Sequence, residues 1–233
     1  MEFDFAGICS LVGTIIGVFL NFSAGILYIE ICQGKRDYHT IPEYYIVSNV
    51  LANIINLSFS ICKNDLMMLI SNGIGIGFSL IWSIFYLFYA TKKKISKFFL
   101  LSFIVLNLSS ELVFILTQIS TSEEVPGWIS VFIGAINSAT PGQNIYYTIK
   151  NRDPSLIPIW TTVSGGTCNF CWFIYGAFGV FNAPDPKIII PNILGMLLNF
   201  VSSCSYFYAT ISKKKANKKE EGTEKLEQNI LSI

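Results

Sequence analysis

The sequence predicts an all-α membrane protein in which seven transmembrane helices form two parallel three-helix bundles joined by a linker helix (3+1+3). Uncharged or nearly uncharged stretches of helix length occur seven times in the 233 residues. Basic residues cluster in every second connection, and the first three stretches share ordered motifs with the last three. A bilayer core about 30 Å thick needs about 20 apolar residues of helix, and a helix satisfies its own backbone hydrogen bonds there.

Charged residues set the limits of each predicted span. The fourth span contains one acid, Glu111, which we expect to make a structural contact or to reach the lipid interface. The composition agrees, since 13% of the residues are charged against about 25% in soluble domains. The predicted spans cover residues 5–29, 44–62, 66–91, 98–122, 125–149, 154–184 and 188–212.

The distribution of basic residues predicts the orientation in the membrane. Fourteen of the sixteen Lys and Arg residues lie on the side that carries the C-terminus, and only Lys63 and Lys187 lie on the other. Because basic connections stay in the cytosol, we expect the N-terminus outside and the C-terminus in the cytosol. The long spans favour the plasma membrane, with the Golgi or another endomembrane as the alternative.

Motifs that recur in the same order predict an internal duplication. Pro42 and Pro158 open the second and sixth spans, Asn72 and Asn192 stand near the start of the third and seventh, and both of these spans end in Phe-Tyr-Ala-Thr. The predicted units are a first repeat (1–91), a linker helix (92–124) and a second repeat (125–212). We expect the polar, charged tail (213–233) to be disordered and cytosolic.

These features together resemble the SWEET (MtN3/saliva) family of sugar transporters. The resemblance covers residues 7–212 and includes the 3+1+3 order, the paired Asn residues and Cys168-x-x-x-Trp172-x-x-Tyr175-Gly176. Parallel-repeat transporters bind substrate near the midplane, between the repeats. The resemblance implies facilitated, bidirectional sugar transport by alternating access, in a lipid bilayer and as a homo-oligomer, for example a trimer.

A sugar site needs neutral groups that both donate and accept hydrogen bonds, with an aromatic plane beside them. Asparagine meets the first need, and the alternative for a buried Asn is a structural bond between helices. The resemblance implies that Trp172 stacks on the sugar, whereas the first repeat has Asn56 near the matching place; a packed aromatic is the alternative for Trp172. The predicted substrate-binding residues are Asn72, Asn192, Trp172, Asn53, Asn169, Asn56 and Ser138. The resemblance implies a small residue where this chain has Asn53, so the larger side chain favours a monosaccharide.

Prolines and outer charged residues are the predicted moving parts. Pro42, Pro141 and Pro158 match three of the four hinge prolines that the resemblance implies, and the fourth place carries Ala24. A plain helix start is the alternative for Pro42 and Pro158. The predicted outer gate consists of Tyr175, Asp185 and Asp65, for which solvated charges at span ends are the alternative.

Nothing in the sequence predicts an enzyme, a cofactor, a metal site or binding to nucleic acid. The single histidine, His39, stands among charged residues of a predicted cytosolic loop, and Cys168-x-x-Cys171 lies on a predicted span. No titratable group accompanies the predicted site, so we expect uncoupled uniport. The alternative is a proton-coupled PQ-loop transporter of amino acids or other small solutes, whose Pro-Gln motif is only approximated by Pro141-Gly142-Gln143.

Overall fold

The computed structural model describes residues 5–35, 43–91, 104, 107–109, 111, 114–115, 123–179 and 183–231, and all regular structure in these residues is helical. The described residues of the linker are helical too, and Glu111 is exposed there. A 3-10 turn, Pro154–Leu156, separates the fifth and sixth helices. The helices are α1 (Phe5–Cys32), α2 (Glu43–Lys63), α3 (Leu66–Thr91), α4 (Glu124–Ala139), α5 (Gly142–Asn151), α6 (Ile159–Phe178) and α7 (Pro186–Leu231).

Contacts between these helices close a ring. In the first repeat α3 packs against both α1 and α2, and in the second repeat α7 packs against both α4 and α6. Two contacts join the repeats, α1 with α6 and α2 with α4. Each joins the first helix of one repeat to the second helix of the other, as expected for two copies related by a pseudo-twofold axis. The interior of this ring is therefore shared by both repeats.

Polar and apolar side chains are distributed in the reverse of the usual soluble pattern. Ser58 and Ser60 are fully buried, whereas Phe19 is 65% exposed and Trp160 is 78% exposed. Small polar residues allow close helix contacts in membranes, and large exposed apolar surfaces suit contact with lipid. The outer surface of the ring is therefore suited to a bilayer, and its interior is suited to a polar path.

Three of the described helical segments are long and apolar enough to cross a membrane by length and composition: Phe5–Cys32, Leu66–Tyr86 and Pro186–Ala216. The predicted fifth span does not form one continuous helix, because α4 ends at Ala139 after 16 residues and α5 begins beyond Pro141. The sixth span is long enough, but Thr, Gly and Asn residues make α6 less apolar. Both of these more polar spans contribute side chains to the interior.

The structure bears on three sequence expectations and changes the first of them. The tail from residue 213 was expected to be disordered, yet α7 continues to Leu231; its many Lys and Glu residues favour helix. Pro158 does not kink a span, because it immediately precedes α6 with an extended backbone (ψ 91°). The helix α1 continues unbroken through Ala24. Pro42 lies outside the described residues.

Candidate functional site

Two cavities lie inside the ring, one mainly in each repeat. The first-repeat cavity has a volume of about 160 Å³ and lies between α1, α2 and α3. The second-repeat cavity has a volume of about 260 Å³ and lies between α4, α5, α6 and α7, with one wall from α1. Leu20, Tyr28 and Asn49 line both cavities, which are thus neighbours across the boundary between the repeats.

Neither cavity has a Lys, Arg, Asp or Glu among its described lining residues. The polar groups that line them are amides and hydroxyls, each able to serve the hydroxyl groups of a neutral ligand as donor or acceptor. In the first-repeat cavity these are Thr14, Asn21, Asn49, Asn53, Ser71 and Ser79. In the second-repeat cavity they are Asn49, Asn137, Ser138, Thr140, Asn144, Thr161, Thr162, Asn169, Asn199 and Ser202.

Asn53 and Asn169, two of the predicted site residues, occupy corresponding places in the two cavities. Each amide lies directly against a glycine of the third helix of its own repeat. A Cβ added at Gly75 would lie 2.9 Å from Asn53 Cγ, and one added at Gly195 would lie 2.8 Å from Asn169 Cγ. Any larger residue at either glycine would overlap the amide. Both asparagines therefore line a cavity and also form the contact between two helices.

At a second pair of corresponding positions, the two repeats take an asparagine amide from different helices. In the first repeat, Asn49 of α2 donates from Nδ2 to Ser79 Oγ of α3 at 2.9 Å. In the second repeat the corresponding α6 residue is Gly165, and Asn199 of α7 provides the amide instead. A Cβ at Gly165 would lie 3.3 Å from Asn199 Oδ1, so the glycine makes room for this amide. Each repeat thus holds one amide at this depth, supplied from opposite helices.

The predicted pair Asn72 and Asn192 does not line either cavity. Asn72 Nδ2 donates to the backbone oxygen of Met68 at 2.8 Å and to Ser60 Oγ at 3.2 Å. Asn192 Nδ2 donates to the backbone oxygen of Ile188 at 2.7 Å. In this conformation the two amides are used within their own repeats.

Trp172 and Asn56 also lie away from the cavity walls, at corresponding contacts between the repeats. Trp172 packs against α1, where a Cβ at Gly13 would lie 3.1 Å from the indole Nε1. It also borders a buried apolar cluster that includes Phe59 and Tyr175. Asn56 Oδ1 accepts a hydrogen bond from Ser130 of α4. Both residues thus belong to the packed half of the ring, at its predicted outer end.

The structure brings the predicted outer-gate residues together. Asp65 accepts a hydrogen bond from a backbone N–H in the first turn of α3 (3.1 Å), and Asp185 does the same in α7 (3.0 Å). The other oxygen of each carboxylate reaches the opposite repeat: Asp65 accepts from the Tyr175 hydroxyl at 2.5 Å, and Asp185 pairs with Lys63. These two bonds cross the boundary between the repeats, so they hold this end of the ring closed.

A further ion pair, not predicted from the sequence, lies beside the predicted outer gate. Lys187, at the start of α7, lies 2.6 Å from Glu124 Oε1 and 3.7 Å from Glu123 Oε1, at the start of α4. The hydrogen bond from Lys187 holds the pKa of Glu124 below its ordinary value of 4.5. The stabilisation that this bond gives the folded protein is complete above pH 4.5, the ordinary pKa. It is lost as the pH falls through the lowered pKa of Glu124. The sequence carries a signal for this ion pair, because acidic residues stand at the start of one predicted span and a lysine at the start of another on the same predicted side.

Ser138, Pro141 and Pro158 line the second-repeat cavity. Pro141 stands between α4 and α5 with helical dihedrals (φ −66°, ψ −12°), so the helix is interrupted there while the backbone stays close to helical. Asn199 and Ser202 also line this cavity but are not among the residues predicted from the sequence. The spacing of Asn199, seven residues after Asn192, places both on one face of a helix and was a usable signal.

Comparisons with known proteins agree with this arrangement. The family described as "sugar efflux transporter for intercellular exchange" matches residues 8–94 and 124–216. Bidirectional sugar transporter NEC1 of Petunia hybrida is 27% identical over 95% of this chain and 87% of its own length. Bidirectional sugar transporter SWEET1 of Arabidopsis thaliana is 25% identical over 83% of this chain and 82% of its own length.

A solved structure, of a eukaryotic SWEET transporter, has the same fold. It superposes with a TM-score of 0.70 at 20% sequence identity, over 88% of this chain and 96% of that one. This likeness confirms the predicted fold class. The two segments that match the family leave out residues 95–123, which lie between the predicted repeats.

Proposed function

The chain belongs to the SWEET (MtN3/saliva) family of sugar transporters, as its resemblance predicted, and we propose that it carries a sugar passively in both directions across a membrane. The family is one of transporters, not of enzymes. The observation that supports the proposal most directly is the pair of adjoining cavities at the repeat boundary, whose described walls carry amides and hydroxyls but no charged side chain. Such walls suit a neutral ligand with many hydroxyl groups.

The proposed mechanism is alternating access, with one repeat rocking against the other. The ion pair between Lys63 and Asp185 and the bond between Tyr175 and Asp65 join the repeats at the predicted outer end. Breaking these two contacts would let that end open. The interruption of the helix at Pro141, beside the cavity, is the proposed place where the predicted cytosolic half bends. Pro158, immediately before α6, and Pro42 are the other proposed hinges.

The proposed sugar-binding residues act at two stages. Asn53, Asn169 and Ser138 line the cavities in the conformation described here. Asn72, Asn192, Trp172 and Asn56 lie in the closed outer half, and we propose that they join the site when the outer gate opens. The cavities, at about 160 and 260 Å³, are smaller than typical pockets for drug-sized ligands, which supports a monosaccharide as the substrate.

The transport should be uncoupled, because the described walls of the cavities contain no Asp, Glu or His whose protonation could follow the sugar. The proposed orientation has the N-terminus outside and the C-terminus in the cytosol, in the plasma membrane. A trimer is the proposed assembly, by resemblance alone.

Counterflow in liposomes tests the proposal. Vesicles that contain the purified protein and are loaded with unlabelled glucose should accumulate labelled glucose transiently, without a change in internal pH. Asn192→Ala should abolish the uptake while the protein stays folded and monodisperse. Absence of counterflow with glucose, fructose, galactose and sucrose would remove the proposed function, and a sugar-driven pH change would replace uniport by proton coupling.

A further inference from the structure

The second-repeat cavity is lined by a buried hydroxyl group that has no hydrogen-bond partner among the residues that the structure describes. Ser202 of α7 lines this cavity and is 3% exposed, and its Oγ makes no hydrogen bond within the described part of the chain. By contrast, Ser205, one turn further along, donates from Oγ to the backbone oxygen of Val201 at 2.8 Å. A buried hydroxyl without a hydrogen-bond partner is unfavourable unless a ligand or a water molecule bonds to it. The unused hydroxyl of Ser202 therefore marks a position for a polar ligand atom.

The first repeat offers an internal comparison, because its corresponding place is filled. Trp82 follows Gly75 by seven residues, as Ser202 follows Gly195, and both line the cavity of their repeat. The Trp82 indole donates from Nε1 to the backbone oxygen of Asn21 at 3.2 Å and stacks on Tyr28, with ring centroids 5.2 Å apart. In the smaller cavity, an indole ring thus occupies this place and its N–H group has a hydrogen-bond partner. In the larger one it is occupied by a serine.

Neighbouring groups make the surroundings of Ser202 suitable for a hydroxyl-bearing ligand. Asn199, one turn earlier on α7, lines the same cavity, and one of its two amide N–H groups is used by the backbone oxygen of Gly195 (2.8 Å). Its amide retains further donor and acceptor capacity. Thr162 of α6 lines the cavity too, with its hydroxyl bonded to the backbone oxygen of Pro158 at 3.2 Å. No charged group stands among the described walls.

We propose that Ser202, together with Asn199, forms a sugar-binding position in the second-repeat cavity, where a ring hydroxyl of a neutral sugar bonds to Ser202 Oγ. Ser202 follows Asn192 by ten residues of helix, about 15 Å along the axis. This position is thus separate from the predicted Asn72 and Asn192 pair and nearer to the predicted cytosolic end. The inference rests on the proposed function, because it takes the ligand to be the transported sugar.

Ser202→Ala and the matched control Ser205→Ala test the proposal in the purified full-length protein. Glucose binding is measured by the rise in melting temperature on titration, and transport by the glucose concentration that gives half-maximal uptake. Loss of one hydrogen bond should weaken binding and raise that concentration two- to tenfold, roughly, in S202A. S205A should match the wild type, since its hydroxyl bonds only to its own helix. If S202A melts at a lower temperature than the wild type in the absence of sugar, S202T and S202V are compared instead, because Thr and Val have nearly the same shape. The affinity for glucose should then be retained in S202T and lost in S202V.

Ser202→Trp supplies a second, independent readout. It adds at this place the bulk that Trp82 provides in the first repeat, so a folded S202W protein should lose glucose uptake. The inference would be overturned if S202A bound glucose as tightly as the wild type, or if S205A lost as much affinity as S202A. Normal glucose uptake by S202W would overturn it too. Each of these results would leave the proposed transport function intact. A wild-type protein that moves none of the four sugars would overturn the proposed function and this inference with it.

Discussion

At the level of single residues, the centre of each repeat depends on a matched asparagine and glycine. Asn53 lies against Gly75 and Asn169 against Gly195, and an added Cβ would overlap each amide. From the sequence, both asparagines were open to two interpretations, sugar contact or a bond between helices. The structure shows that each packs against a neighbouring helix and lines a cavity as well. The two interpretations are therefore compatible.

Gly75→Ala should destabilise the protein by about 1–3 kcal/mol, because the new methyl group would displace the Asn53 amide in a tightly packed contact. The thermal melting of the purified protein measures the effect. Gly77→Ala is the matched control two residues away, where nothing lies within 4 Å of the added Cβ. Combining G75A with Asn53→Ala should recover most of the loss. Equal melting temperatures for G75A and G77A would show that the Asn53 amide moves aside without loss of stability.

At the level of helices, prolines and helix formers decide where elements begin and end. Pro141 lacks the N–H that a continuous helix needs, and the predicted fifth span is accordingly divided into α4 and α5. Pro158 stands immediately before α6, where the missing N–H has no cost. The run of Lys and Glu beyond residue 213 favours helix, and α7 extends through it.

Pro141→Ala should join α4 and α5 into a stiffer continuous helix, because Ala restores the missing N–H and removes the ring that interrupts the helix. We expect glucose uptake to slow several-fold while the melting temperature stays equal or rises. Pro154→Ala is the control, since Pro154 lies in the short 3-10 turn between α5 and α6. Uptake by P141A at the wild-type rate would exclude a hinge at this position.

At the level of the whole molecule, the conformation combines a closed end with interior cavities. Four side chains join the repeats at the closed end: Lys63, Asp65, Tyr175 and Asp185. The Lys63 and Asp185 side chains are only 14% and 13% exposed. A partly buried ion pair that loses one partner leaves an uncompensated charge, which is strongly unfavourable. The closed arrangement should therefore be sensitive to either residue.

Lys63→Ala should open the predicted outer end and speed the labelling of the adjacent Cys62 by a membrane-impermeant maleimide several-fold. The measurement uses intact cells and variants that retain either Cys62 or Cys32 alone. Cys32, exposed at the end of α1, should react only after permeabilisation if the predicted orientation holds. Lys213→Ala, which breaks the pair with Asp153 at the other end, is the control for Cys62. Labelling of Cys32 in intact cells would reverse the orientation, and an unchanged rate for K63A would remove Lys63 from the gate.

The sequence by itself determined the helical membrane fold and the family, and its motifs predicted the duplication. These follow from local properties, since the length of an apolar run and the order of motifs do not depend on neighbours. Only the tertiary structure decided which polar side chains meet in the interior. Periodicity places Asn192, Asn199 and Ser202 on α7, but the rotation and packing of the helices in the ring decide which of them line a cavity. In this conformation the predicted outer half is packed shut, so Asn199 and Ser202 line a cavity while Asn192 bonds to its own helix.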